Sequence, residues 1–96
     1  MSHLYKLTEF QGSSGFWYAS DIEDLGNGSG TWYLPARMLG ITPAAWIKKV
    51  IDDFKPDNVF HSASCDFIGF SWKSQAQMRL YKNWVNKIAR EKQFFI

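Results

Sequence analysis

Along this chain the apolar positions fall into two helical stripes and several shorter alternating runs. Between residues 43 and 54, Trp46, Ile47, Val50, Ile51 and Phe54 recur at one-face helical spacing, and Lys48, Lys49, Asp52 and Asp53 fall toward solvent. The start of this helix is written locally. Thr42 is an N-cap, Pro43 suits the first helical position because its missing N–H would be unpaired there, and Ile41 can staple against Trp46 one turn on. A second and longer helix is expected at about 75–92. Met78, Tyr81, Trp84, Val85, Ile88 and Ala89 share one arc of it, and Arg79, Lys82, Asn86, Lys87 and Arg90 share the opposite arc.

Between these helices the period changes to two. Residues 58–63 carry Val59, Phe60 and His61, and residues 67–72 alternate Ile68, Phe70 and Trp72 with Phe67, Gly69 and Ser71, which predicts a hairpin turning through 62–66. Lys55, Pro56 and Asp57 break the preceding helix. Nearer the start, residues 3–10 read as a strand, residues 11–15 as a polar turn, and Phe16, Trp17 and Tyr18 as a second short strand. Ser20 to Glu23 matches a capping box for a brief helix ending at Gly26, and residues 26–30 alternate Gly with Asn27 and Ser29 as a loop. The expected fold is a small single α+β domain, an antiparallel sheet or hairpin packed against the helices at about 43–54 and 75–92.

Residues 35–54 hold the most telling local pattern. Pro35 opens a short helix, Gly40 can take the left-handed conformation that ends it after Leu39, and Thr42 begins the next. Ala36, Leu39, Gly40, Ile41, Thr42 and the apolar Trp46 stand at the relative spacings of many DNA-binding helix-turn-helix units, so the segment resembles that motif generically. The resemblance implies that Thr42, Ala44, Ala45, Lys48 and Lys49 would face a DNA groove, with the following hairpin in the place of a wing and Arg79, Lys82, Lys87 and Arg90 on phosphates. The chain departs from the pattern at Lys49, where many such units carry an apolar residue. Its first turn, Thr42-Pro43-Ala44-Ala45, offers base edges little of the Arg, Asn or Gln chemistry that reads them.

Composition adds two points. Aromatic residues make up 18% of the 96 positions, more than so small a core readily absorbs, so a few are expected at the surface, where protein or nucleobase contacts use them. Charge is unevenly placed. Residues 1–72 hold five Lys and Arg against eight Asp and Glu, whereas residues 73–96 hold six against one, which makes the last helix a basic ridge. Such a ridge can meet phosphates, an acidic protein surface or only solvent.

Catalytic and metal signals are sparse. His61 and Cys65 stand four apart with Asp66 following, but flank a turn where they need not converge, and His3 is the one other imidazole. A zinc site would require nearly every Cys and His in the chain. Asp21, Glu23 and Asp24 lack EF-hand spacing, and the glycines at 26, 28 and 30 lack the phosphate-loop lysine. We therefore expect no enzyme, no metal and no small-molecule cofactor. One cysteine excludes an internal disulfide, no basic-then-apolar leader opens the chain, and no run is long enough to cross a bilayer. The sequence reading is a non-catalytic cytoplasmic interaction protein, an adaptor, inhibitor or accessory protein of the kind mobile elements carry. It would bind a protein or nucleic acid through Arg79, Lys82, Asn86, Lys87, Arg90 and exposed aromatics. The second reading is a winged helix-turn-helix-like DNA binder.

Overall fold

The computed structural model describes residues 4–20, 34–61 and 68–95. The elements are β1 (Thr8–Gln11), β2 (Trp17–Ser20), α1 (Leu34–Leu39), α2 (Pro43–Phe54), β3 (Asn58–His61), β4 (Ile68–Ser71) and α3 (Gln75–Lys92). The chain is a small α+β structure, with two antiparallel strand pairs and helices packed against them. The expected capping-box helix, the glycine-alternating loop and the hairpin turn lie outside the described residues.

Both long helices begin and end where the local chemistry directs. Thr42 Oγ1 accepts the Ala45 N–H at 3.1 Å ahead of Pro43, and Ser74 caps α3 by accepting from Gln77 N–H at 3.3 Å. Gly40 sits at φ 69° between α1 and α2, the left-handed region where a side chain is strained. The C-caps Lys55 and Gln93 adopt the same region at φ 49° without being glycine. Lys55→Gly is accordingly expected to raise stability by about 0.5–1 kcal/mol, read as an upward shift in urea midpoint.

The strand pairs are β1–β2, with Phe10 opposite Tyr18 and Glu9 opposite Ala19, and β3–β4, with Val59 opposite Phe70 and Asn58 opposite Ser71. They meet at an isolated bridge, where Trp17 and Trp72 exchange backbone hydrogen bonds of 2.6 and 2.8 Å, so among the described strands β2 and β4 are inner and β1 and β3 are outer. Two expectations shift here. The strand read over 3–10 is regular only at Thr8–Gln11, because residues 4–7 spend their backbone groups on α3 and its tail. Tyr5 N–H donates to Phe94 O at 2.8 Å, and Leu7 exchanges two bonds with the Asn86 side chain. Trp72 lies just past β4, where it joins the two hairpins.

The core is dominated by aromatic rings stacked between α2, α3 and β4. Trp46, Trp72, Val50, Met78 and Val85 are fully buried. Trp46 lies parallel to Trp84 at 5.5 Å, and Tyr81 is within 6.2 Å of Trp46, Phe54, Phe70 and Trp72. These contacts gather six aromatic rings, Trp46, Phe54, Phe70, Trp72, Tyr81 and Trp84, into one cluster. Ile51, read onto the apolar face of α2, is instead 42% exposed, because the face that α3 covers is narrower than the apolar arc and centres on Trp46 and Val50.

Candidate functional site

Among the described residues, three surfaces carry binding chemistry. The first is the ridge of α3. Part of its polar arc, Gln75, Arg79 and Lys82, reaches across to β1, while Lys87 and Arg90 stay exposed. Arg79 reaches Glu9 through Nε and Nη2 at 3.0 and 2.9 Å, Lys82 Nζ joins the same carboxylate at 2.9 Å, and Gln75 donates to it at 3.0 Å. The hydrogen bonds from Arg79 and then Lys82 hold the Glu9 carboxyl down from its ordinary 4.5 to about 2. A depressed folded-state value means the stabilisation is complete above pH 4.5 and disappears as pH falls toward 2. Glu9→Gln should therefore lower the urea midpoint at pH 7, and the gap from wild type should narrow steadily below pH 4.5.

Asn86 corrects the sequence reading. Placed on the exposed arc by periodicity, it is 8% exposed, and its amide donates to Leu7 O at 3.0 Å while accepting Leu7 N–H at 2.7 Å. It holds the segment before β1 to the helix and is not available to a partner. Lys87 is exposed and 3.9 Å from Glu91, and Lys92 donates to Met38 O at 3.3 Å. Arg90 is exposed beside Lys6 along a groove of about 250 Å³ with Leu4, Tyr5 and Asn86. Glu9 was not foreseen as the ridge's counter-charge because it lies 70 residues from Arg79.

The second surface is α2. Ala44 and Ala45 are exposed, Thr42 Oγ1 is occupied by its cap, and each lysine meets an aspartate one turn on: Lys48 to Asp52 at 3.1 Å and Lys49 to Asp53 at 3.0 Å. Lys49 Nζ also lies 5.4 Å from the Trp84 ring centre. Between these pairs runs an open groove of about 370 Å³ with no net formal charge.

The third surface is the outer face of the hairpins. Glu9 turns to α3 and Phe70 to Tyr81, so by strand alternation Phe10 and Tyr18 on one hairpin, and Asn58, Phe60 and Ser71 on the other, face away from the helices. Phe10 stacks on Tyr18 at 5.7 Å. Phe16, Tyr18 and Phe60, with Gly12, Ser14, Asn58 and Ser71, line a groove of about 340 Å³, and none of these described residues is charged. Asn58 Nδ2 donates to Ser71 Oγ at 3.1 Å across its floor, and Phe60 is 45% exposed. Surface aromatics were expected from composition; the exposed ones among the described residues are Phe60 on β3 and Phe95 on the tail, and the half-buried Phe10, Phe16 and Tyr18 join Phe60 on the outer face of the hairpins.

No family model, no curated protein and no solved structure matches this chain. Its function must be argued from these surfaces. Cys65, Asp66 and His3 lie outside the described residues, and among those described no group of three or more His, Cys, Asp or Glu could hold a metal ion. Among the described residues, no helix is long and apolar enough to cross a membrane.

Proposed function

We propose that this chain is a small non-catalytic cytoplasmic interaction protein that grips a protein partner with the outer face of its hairpins. The observation that carries this reading is the groove of Phe16, Tyr18 and Phe60, whose described lining carries no charge and includes the hydrogen-bonded Asn58 amide and Ser71 hydroxyl. Aromatic residues, Tyr and Phe among them, are enriched at the buried centres of protein interfaces, where charged residues are depleted. The other exposed large apolar residues among those described, Ile51, Leu80 and Phe95, lie on three different parts of the chain, α2, α3 and the tail after it. The basic helix plays a smaller part than its composition suggests. Arg79 and Lys82 share Glu9, so Lys87 and Arg90 remain to add charge attraction at the rim of a partner.

The test is enrichment of interacting proteins from cell extract by immobilised wild type and by two double variants. Phe16→Ser with Phe60→Ser should reduce the recovered partner about 10–100-fold, the loss expected of central aromatic contacts. Lys87→Glu with Arg90→Glu should change recovery only a few-fold, in a salt-dependent way. The opposite ranking would overturn the assignment to the hairpin face.

A second reading rests on a specific arrangement: α1, Gly40 and α2 are followed directly by the β3–β4 hairpin, the order of a helix-turn-helix with a wing. It requires duplex binding at low salt that falls steeply with added salt and is lost in Lys48→Glu with Lys49→Glu. The pairing of both lysines with aspartates leads us to expect no such binding, checked by titrating labelled random duplex and single-stranded DNA and RNA across a salt series.

A further inference from the structure

The segment before β1 runs beside α3, held by the Tyr5 N–H on Phe94 O at 2.8 Å and by the two bonds between Leu7 and the Asn86 amide. Where they meet lies the groove of about 250 Å³ lined by Leu4, Tyr5, Lys6, Asn86 and Arg90. Both charged residues of this described lining are cations, Lys6 from the segment and Arg90 from the helix, and both are exposed. The described carboxylates are engaged elsewhere. Glu9 is held by Arg79 and Lys82, Glu91 lies 3.9 Å from Lys87, Asp52 and Asp53 meet Lys48 and Lys49, and Asp57 accepts the Lys73 N–H.

A further donor comes from Asn86, which is only 8% exposed. Its amide nitrogen carries two protons. One goes to Leu7 O at 3.0 Å, and the other has no acceptor among the described residues. The groove thus brings two positive charges and a nearly buried polar amide to one place.

We propose that this groove binds a phosphate monoester, with the phosphate between Lys6 and Arg90 and the group that bears it against Leu4 and Tyr5. Charge selects the head group. A phosphate monoester is close to a dianion at neutral pH, its second pKa being about 6, and it offers three acceptor oxygens, which suits two cations and an amide N–H. A carboxylate brings one charge and two oxygens. The Arg90 guanidinium can take two phosphate oxygens side by side, and Lys6 supplies a point charge without a fixed direction. The walls select an ester over free phosphate. The groove is several times the roughly 30 Å³ of one water, so it has room for the bearing group, and Leu4 and Tyr5 give that group apolar contact. Bound there, the ligand bridges the segment and the helix and relieves the repulsion between their cations.

This groove shares no residue with the aromatic groove of the hairpins, so it stands or falls separately from partner binding there. The test titrates the purified chain with phenyl phosphate at neutral pH and low salt and follows amide chemical shifts. Saturable shifts centred on residues 4–6 and 86–90 are expected. Lys6→Gln and Arg90→Gln should each weaken binding about 5–10-fold, as loss of one partly exposed charge-assisted contact does, and Lys48→Gln should leave it unchanged. All three positions are exposed, so the variants should keep the wild-type circular dichroism. Inorganic phosphate, which lacks the bearing group, and phenylacetate, which lacks the dianion, should each bind several-fold more weakly. No saturable shifts, shifts spread equally over the lysines of α2, or a Lys6→Gln affinity equal to wild type would overturn the proposal. Inorganic phosphate binding as tightly as phenyl phosphate would overturn the assignment to an ester, and phenylacetate binding as tightly would overturn the assignment to phosphate.

Discussion

Trp72→Ala is expected to lower the free energy of unfolding by about 3–5 kcal/mol, the range for truncating a large buried aromatic. Trp72 is 0% exposed, and three separate links pass through it. Its backbone closes the bridge to Trp17 that joins the hairpins, its indole N–H donates to Phe54 O at 2.8 Å and so ties down the end of α2, and its ring lies 5.1 Å from Tyr81 on α3. The backbone link survives in the alanine variant, whereas the other two are lost and a cavity opens among the rings. Trp72→Phe keeps part of the volume but leaves Phe54 O without that donor, so it should cost roughly half as much. Chemical denaturation of the three proteins measures the series. Equal stability of Trp72→Ala and wild type would show that the ring does not hold the layers together.

Asn86→Ala should cost about 2–4 kcal/mol, because it strands two backbone groups at once. Leu7 N–H and Leu7 O both find their partner in this one amide, in a setting that is itself buried. Asn86→Leu separates packing from hydrogen bonding. It restores volume yet supplies neither donor nor acceptor, so it should remain nearly as destabilised as the alanine variant. Hydrogen exchange gives a second readout, with protection of the Leu7 amide falling in both variants. If Asn86→Leu matched wild type in denaturation, the amide would be packing material and not the fastening of the N-terminal segment.

The two helices were legible in the sequence because their signals are local. Thr42-Pro43 and the stripe through Trp46 and Val50 fix α2, and the stripe through Met78, Tyr81, Val85 and Ala89 fixes α3. What one stripe cannot say is what lies against its polar side. Arg79, Lys82 and Asn86 read as a solvent face because a helix facing a core presents apolar residues. They lie against β1 and the segment before it, which present a carboxylate and unpaired backbone groups, so a polar arc is the complementary choice. Only the meeting of residues 70 to 79 positions apart reveals this. The outer aromatic face was hidden for a related reason. Phe10, Tyr18 and Phe60 lie in strands of four residues, too short for alternation to show which side is covered until the Trp17–Trp72 bridge sets the hairpins side by side.

The claim that the hairpin face is the binding surface is tested most directly by site-specific photocrosslinking in cells. Benzoylphenylalanine would replace Phe16 on the hairpin face, Ala45 on α2 or Lys87 on α3, one position per protein. The account predicts a covalent adduct with another protein from position 16, distinguished by mass from a self-adduct, and little from positions 45 and 87. Adducts concentrated at position 45 or 87, with none from position 16, would contradict it.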